Sequence, residues 1–231
     1  MKFKSLILIL IFGLAMAACD EGKIYPTTGY GPRQGRTVRL SGDLRGVDSY
    51  PEGYTLSLSG FSDESEYAVI SRNVLDAGGT LLEGIPDEVT RVSLCVIDRL
   101  RKPVVEFGSI PLGEATDTVE MEVGQLDCSM FGAIDRAVFQ TTCAQCHGAT
   151  GYAAGGLNLT TGRAYGDLVG VPSRVVPGET RVVAGESANS LLYKALSTGM
   201  SATWRYDHSS EVVNPATLEL IRDWIDNGAK N

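Results

Sequence analysis

The sequence predicts an α+β multi-domain protein, in which an all-β, sandwich-like domain (37–127) precedes an all-α domain (128–231). Two observations predict this division. Between residues 37 and 127, apolar residues recur at every second position in short runs, which is typical of strands with one buried face. From residue 128 onward, the apolar spacing changes to three or four residues, which is typical of amphipathic helices.

Residues 1–18 have the pattern of an export signal. Two lysines precede an apolar run (6–14), and small residues follow it before Cys19. The apolar run is too short to cross a bilayer as a helix. Met16-Ala17-Ala18-Cys19 resembles the lipobox of bacterial lipoproteins, which implies that Cys19 is acylated and becomes the mature N-terminus. The alternative is an ordinary signal peptide that leaves Cys19 as a free thiol.

Residues 19–36 are rich in Gly, Pro and Thr without apolar periodicity, and we expect them to form a tether. Six or seven short β-rich runs follow, separated by turn residues. In the last run (119–123), apolar and acidic residues alternate, which indicates a strand with one solvated face. This number and spacing of strands favour a β-sandwich. The β-rich half contains no catalytic constellation, and we expect it to act as a spacer or docking module.

Two amphipathic helices are predicted at the ends of the second half. The first has Asp127 or Ser129 as its N-cap and leads towards residue 140. The second begins at Asn214-Pro215, a cap followed by a first-turn proline, and ends before Gly228. A shorter helix is expected over 190–196. The apolar stripes of the terminal helices comprise Phe131, Ile134 and Val138, and Leu218, Ile221 and Ile225.

The most specific motif in the chain is Cys143-Ala144-Gln145-Cys146-His147. Two thiols spaced by two residues can form thioethers with the two vinyl groups of one porphyrin, and the adjacent imidazole then lies under the iron. A zinc site would need further Cys or His ligands, and a thiol–disulfide site would need a βαβ context. We therefore expect one covalent haem c, held by Cys143, Cys146 and His147.

Residues 128–231 resemble a single-haem, class I-type cytochrome c domain. The resemblance rests on a helix that leads into CAQCHG and on four later segments, which are Gly155-Gly156-Leu157-Asn158-Leu159, Val176-Pro177-Gly178-Glu179, 187–194 and 221–229. It implies that the terminal helices cross and that the haem lies between them and the middle loops. The residues implied in the contact between the two terminal helices are Phe131, Ile134, Leu218, Ile221 and Ile225.

The resemblance also implies that Met200 is the distal ligand of the iron. His208, the only other histidine, is the alternative axial ligand, and an open position is the third alternative. Three arginines of the middle loops, Arg163, Arg174 and Arg181, are candidates for contacts with haem propionates.

Cys95 and Cys128 remain after lipid and haem have taken the other three cysteines. Their spacing leaves two alternatives open, which are a disulfide and two separate buried thiols.

The charge pattern limits the class of partner. Residues 19–127 carry 19 acidic and ten basic side chains, whereas residues 128–231 carry nine and eight. An acidic chain without a basic run argues against nucleic acid or anionic lipid as a partner. Only the acyl chains on Cys19 would hold the protein to a membrane, the inner or the outer one, facing the periplasm or the cell surface.

These observations together predict a membrane-anchored c-type cytochrome of the bacterial cell envelope. We expect it to be an electron carrier that passes single electrons between partner proteins, which the sequence does not identify. One alternative is a surface lipoprotein whose haem domain acts as a sensor or structural module attached to a β-sandwich docking domain. A haem peroxidase is a further alternative.

Overall fold

The described part of the chain contains seven strands in two sheets. The computed structural model describes residues 35–75, 79–113, 118–148, 153–199, 206–212 and 214–231. The strands are β1 (Arg36–Arg45), β2 (Tyr54–Phe61), β3 (Ile70–Asn73), β4 (Leu81–Ile85), β5 (Arg91–Asp98), β6 (Pro103–Pro111) and β7 (Thr118–Asp127). One sheet has the order β4-β1-β7, and the other has the order β3-β2-β5-β6.

The strand pattern follows the alternation of the sequence. β1 and β7 pair in parallel, with Leu40 beside Met121, and the other pairs are antiparallel. In β7, Met121 is buried and the flanking Glu120 and Glu122 are exposed, so this strand has one solvated face. β5 is buried along most of its length, because its two faces contribute to two different apolar clusters. The two sheets share the larger of these clusters.

Four α-helices follow the strands in the described chain. They are α1 (Met130–Ile134), α2 (Ala164–Leu168), α3 (Leu191–Ser197) and α4 (Pro215–Asp226). Asp135–Phe139 continue α1 as a π-helix. Of the two candidate N-caps of α1, Ser129 takes the role, since its hydroxyl accepts the N–H of Gly132 at 3.0 Å. Asn214 caps α4 in the same way through the N–H of Ala216 at 3.0 Å.

The predicted fold class, an all-β domain followed by an all-α cytochrome c domain, is wrong. The structure is mostly β, with two sheets and a few short helices near the C-terminus. The longest of the described helices has twelve residues, and α2 and α3 have five and seven. Residues 153–190 consist largely of turns and isolated bridges. The short helix α2 is followed by Gly170, whose φ of +72° is incompatible with continuing the helix.

The terminal helices pack on each other and on the second sheet. The ring centroids of Phe131 (α1) and Trp224 (α4) are 5.3 Å apart. The guanidinium of Arg136 donates to the carbonyl of Phe107 in β6 at 2.9 Å, and Thr217 of α4 is buried against β6. Buried residues of both sheets and of these helices belong to one apolar cluster, so residues 35–231 form one compact unit.

Several predicted features lie outside the described residues. They are the export signal (1–18), Cys19, the tether as far as residue 34, and Met200. Among the residues that the structure describes, no helix is long and apolar enough to cross a membrane.

Candidate functional site

The Cys-x-x-Cys-His motif forms a single 3₁₀ turn, Cys143–Gln145, after the π-helix. The carbonyl of Cys143 accepts the N–H groups of Cys146 at 3.2 Å and of His147 at 2.9 Å. Cys143 begins the turn and Cys146 follows it as the C-cap. Cys143 is partly buried and lines the cleft described below, whereas Cys146 is exposed.

His147 is fixed in one orientation by the loop that follows it. Its Nδ1–H donates to the carbonyl of Ala154 at 2.9 Å, since a carbonyl oxygen only accepts. The backbone carbonyl of His147 also accepts the N–H of Leu159 at 2.7 Å. Burial lowers the pKa of His147, which favours the neutral ring. A neutral imidazole with a proton on Nδ1 presents an unprotonated Nε2, the form that ligates a metal.

An apolar cleft opens beside His147. It contains about 770 Å³ of empty space, including the part open to solvent. Its walls come from the loop after the motif, from α2, from the 173–181 segment and from α3. The apolar residues of the walls are Ala154, Leu157, Leu159, Leu168, Val175, Val176, Leu191, Leu192, Ala195 and Leu196; Cys143, His147, Gly155, Ser173, Arg181 and His208 complete the lining.

Two glycines allow the loop to pass close to its neighbours. Gly148 has a φ of +135°, and a Cβ there would lie 2.6 Å from Oδ1 of Asn158. That same oxygen accepts the N–H of Thr160 at 3.0 Å and its hydroxyl at 2.7 Å. At Gly156, with a φ of +65°, a Cβ would lie 2.7 Å from Cδ of Arg174. The residue after His147 therefore has to be small for the loop to fold back over the motif.

Arg181 is a buried cation in the wall of the cleft, with 7% of its side chain exposed. Its guanidinium donates to the carbonyl of Asp167 at 2.6 Å and to the carbonyl of Gly156 at 2.7 Å. It therefore ties α2 to the loop beside His147. Of the three arginines considered for propionate contacts, Arg181 is in the cleft, whereas Arg163 and Arg174 are exposed and outside its lining.

His208 also lines the cleft, and it belongs to a different segment of the chain, the 3₁₀ turn His208–Ser210. Its ring centroid is 6.2 Å from that of His147, and the two ring planes differ by 30°. Asp207 caps the turn, because its Oδ1 accepts the N–H of Ser209 at 3.0 Å. Tyr206 packs edge-on against the His208 ring at 5.1 Å. Nδ1 of His208 is buried without a hydrogen-bond partner among the described residues.

The four cysteines that the structure describes differ in their environment. Burial raises the pKa of Cys143 to about 11, so its sulfur is a protonated thiol at neutral pH. Cys95 and Cys128 are free, buried thiols, and they belong to two different apolar clusters. Of the two alternatives left open by the sequence, the structure contains the separate thiols and does not bring this pair together.

The structure brings Cys143, His147 and His208 together around the cleft, and Cys146 lies one turn from Cys143. Met200 and Cys19 are outside the described residues. The five residues implied in the contact between the terminal helices do not line the cleft; Ile134, Ile221 and Ile225 are fully buried in the common core, and Phe131 packs against Trp224 of α4. The cleft is lined by the middle loops, by α2 and α3, and by Cys143, His147 and His208.

Four of the sixteen lining residues were missed by sequence reasoning, namely Ala154, Leu168, Ser173 and Val175. They lie in segments without clear helical or strand periodicity, so no local pattern marks them. The stripe of α3 was visible in the sequence, because Leu191, Leu192, Ala195 and Leu196 share a face. That face points into the cleft.

Comparisons with known proteins identified no relative of this chain. No protein-family model matches the chain, and no curated protein and no solved structure is significantly similar to it. The cleft is therefore interpreted from its own geometry and chemistry.

Proposed function

We propose that the protein is a c-type electron carrier, with one haem attached to Cys143 and Cys146 and ligated by His147. The observation that carries the proposal is the orientation of His147 at the mouth of an apolar cleft, one residue after the second thiol. A metal-ligating histidine commonly donates its other ring N–H to a carbonyl or carboxylate. The contact with Ala154 supplies such a donor–acceptor pair.

The remaining donor set suits a porphyrin. Thioether formation adds each S–H across one vinyl group, so that sulfur bonds to carbon, the proton goes to the neighbouring carbon and no oxidant is needed. Cys143 and Cys146 stand at the start and the C-cap of one 3₁₀ turn, and their spacing of two intervening residues is the one that haem c attachment uses. The apolar walls exclude water from the ring, and Arg181 is placed in them as a buried positive charge.

Haem supplies a one-electron couple when it is bound. The chain's own contribution is to hold the ring nitrogen of His147 in place, to keep that histidine neutral and to surround it with apolar side chains. One electron is then taken from a reduced partner protein and passed to an oxidised one, with no bond made or broken. The exposed position of Cys146 supports this role, since electron exchange with a partner needs a haem edge near the surface.

The proposed location is the bacterial cell envelope. The lipobox-like sequence before Cys19 supports acylation there, and the two sheets, which share one core with the cleft-bearing part, suit a docking role. Replacement of Cys19 by Ser should release the protein from the membrane fraction. Recovery of the unsubstituted protein in the soluble fraction would contradict the anchor and leave the haem proposal intact.

The attachment is tested by expression of the full chain in a bacterium with an active cytochrome c maturation system. We expect an intact-mass increase of one haem, and a tryptic peptide around Cys143 and Cys146 that carries it. The double replacement Cys143→Ser with Cys146→Ser should abolish that mass increase. The matched control is Cys95→Ala with Cys128→Ala, which removes two thiols outside the cleft and should retain the haem.

A second experiment distinguishes an electron carrier from a sensor and from a peroxidase. It measures how the haem-loaded protein reacts with an electrode or redox mediator, with carbon monoxide and with peroxide. We expect a reversible one-electron redox titration and an absorption spectrum that carbon monoxide leaves unchanged. Ready binding of carbon monoxide would contradict the electron-carrier proposal and favour a sensor. Steady turnover of peroxide would favour the peroxidase alternative.

A further inference from the structure

We propose that His208 is the second axial ligand of the iron, opposite His147. This inference rests on the proposed function, because it concerns the iron of the same haem. It departs from the expectation that the resemblance to class I-type cytochromes c implies, in which Met200 takes this position.

The spacing of the two rings is the first observation. A metal-bound imidazole nitrogen lies about 2 Å from the metal and about 1 Å from its own ring centroid, so two imidazoles on opposite sides of one metal have centroids roughly 6 Å apart. The observed distance between His147 and His208 is 6.2 Å. A direct hydrogen bond between two rings would bring the centroids to about 5 Å. The two rings are therefore spaced as for one intervening atom.

The anchoring of His208 is the second observation. The Asp207 cap fixes the turn that carries it, and Tyr206 packs against its ring edge. These contacts hold the ring against the cleft while its Nδ1 lacks a hydrogen-bond partner among the described residues. A buried polar nitrogen without a partner is costly, so it calls for an explanation such as a bound ion or ligand. The same ring lines the cleft that His147 faces.

The number of ligands that the protein supplies distinguishes a haem site from a site for a free metal ion. Within the described ranges, no group of three or more His, Cys, Asp or Glu side chains could hold a metal ion. Two imidazoles alone are too few for zinc, which takes four ligands in structural sites. A haem iron needs only two ligands from the protein, since the porphyrin supplies the other four. The pair His147 and His208 matches that requirement.

The consequence is a closed, bis-histidine iron. Thioether ligation raises the reduction potential of a haem, so replacement of methionine by imidazole gives a lower potential. With both axial positions filled by side chains, small molecules have no free coordination site. Bis-histidine ligation therefore fits one-electron transfer at low potential, and it disfavours peroxide chemistry at this iron.

The test compares two variants of the full, haem-loaded chain. The His208→Gly variant should retain the covalent haem and have one open axial position. In the reduced form, we expect negligible carbon monoxide binding by the unsubstituted protein and near-complete binding by this variant. Added imidazole should restore the original spectrum, because it fills the space left by the side chain. Met200→Leu should leave the spectrum, the potential and the resistance to carbon monoxide unchanged.

The opposite pattern would overturn the inference. In that case Met200→Leu opens the iron, His208→Gly does not, and the oxidised protein shows the weak long-wavelength band of sulfur-to-iron ligation. This band is read on the unsubstituted protein, so the inference stays testable if His208→Gly fails to fold. Its absence, together with a low-spin ferric spectrum, supports His208. Failure of the proposed function gives a different result, which is a chain without covalent haem.

Discussion

The phenol of Tyr54 in β2 donates a hydrogen bond of 3.0 Å to Oδ2 of Asp223 in α4. This contact joins the second sheet to the last helix across 169 residues of sequence. Burial and the carboxylate of Asp223 raise the pKa of Tyr54, so the phenol remains a donor at every physiological pH. The β-rich and helical parts are thus connected by polar contacts as well as by their common core.

Replacement of Tyr54 by Phe should lower the free energy of unfolding by about 1–2 kcal/mol, because it removes a hydrogen bond to a charged group. Tyr67→Phe is the matched control, since the Tyr67 side chain is exposed and should change stability by less than about 0.5 kcal/mol. Urea denaturation of the two variants measures the difference. Equal effects would show that the contact between β2 and α4 contributes nothing to stability.

The terminal helices are predictable because their signals are local. Ser129 and Asn214 supply side-chain caps, and the apolar stripes that follow belong to the buried core. The strands are predictable for the same reason, since alternation specifies which side chains face the core. The pairing of β1 with β7 in parallel is not predictable from either strand alone, because it depends on the order in which distant segments meet.

The cleft depends on contacts between segments that share no local pattern. Arg181 reaches the carbonyl of Gly156 across 25 residues, and this contact shapes the wall next to His147. His147 and His208 are likewise distant in sequence and close in the folded chain. The motif alone identifies Cys143, Cys146 and His147 as site residues, whereas the position of His208 follows only from the folded chain. The all-α expectation is wrong because the middle of this region is rich in glycines with positive φ angles and forms turns and isolated bridges.

Gly148→Ala should weaken the loop that covers the motif. The φ of +135° is strained for alanine, and its Cβ would lie 2.6 Å from Oδ1 of Asn158, so we expect a loss of about 1–3 kcal/mol together with a lower yield of covalent haem. Gly170→Ala is the control, because φ there is +72° and a Cβ would meet no atom within 4 Å. Haem content per chain and thermal denaturation measure both. A larger effect at Gly170 would contradict the close approach at Gly148.

Arg181→Lys should destabilise the wall of the cleft by about 1–3 kcal/mol, because an ammonium cannot reproduce the two directed donations to Asp167 and Gly156. Arg174→Lys changes an exposed arginine in the same region and should have little effect. Urea denaturation gives the stability difference. An unchanged midpoint for Arg181→Lys would mean that the guanidinium does not hold α2 against the loop.

Stability should fall as the pH rises above about 9, because of the buried thiols. Burial raises the pKa of Cys95 to about 11 and that of Cys128 to about 12, from an ordinary value of 9.0. Between pH 9 and these raised pKa values, the unfolded chain has lost thiol protons that the folded chain retains. The free energy of unfolding therefore decreases as the pH rises through this range. Below pH 9 both states are protonated and this contribution is constant.

The double variant Cys95→Ala with Cys128→Ala should show a smaller loss of stability between pH 8 and about pH 10 than the parent chain. Urea titrations at several pH values measure the two slopes. Identical slopes would mean that these thiols titrate alike in the folded and unfolded states, which is incompatible with their burial.

The most direct test of covalent attachment is acid–acetone extraction of the purified chain, produced with an active cytochrome c maturation system. Acid–acetone unfolds the protein and removes a porphyrin that is held only by ligation and packing. We predict that the red pigment stays with the precipitated polypeptide and that it is absent from the variant without Cys143 and Cys146. Pigment that passes entirely into the acetone, or a chain that never acquires colour, would contradict the account.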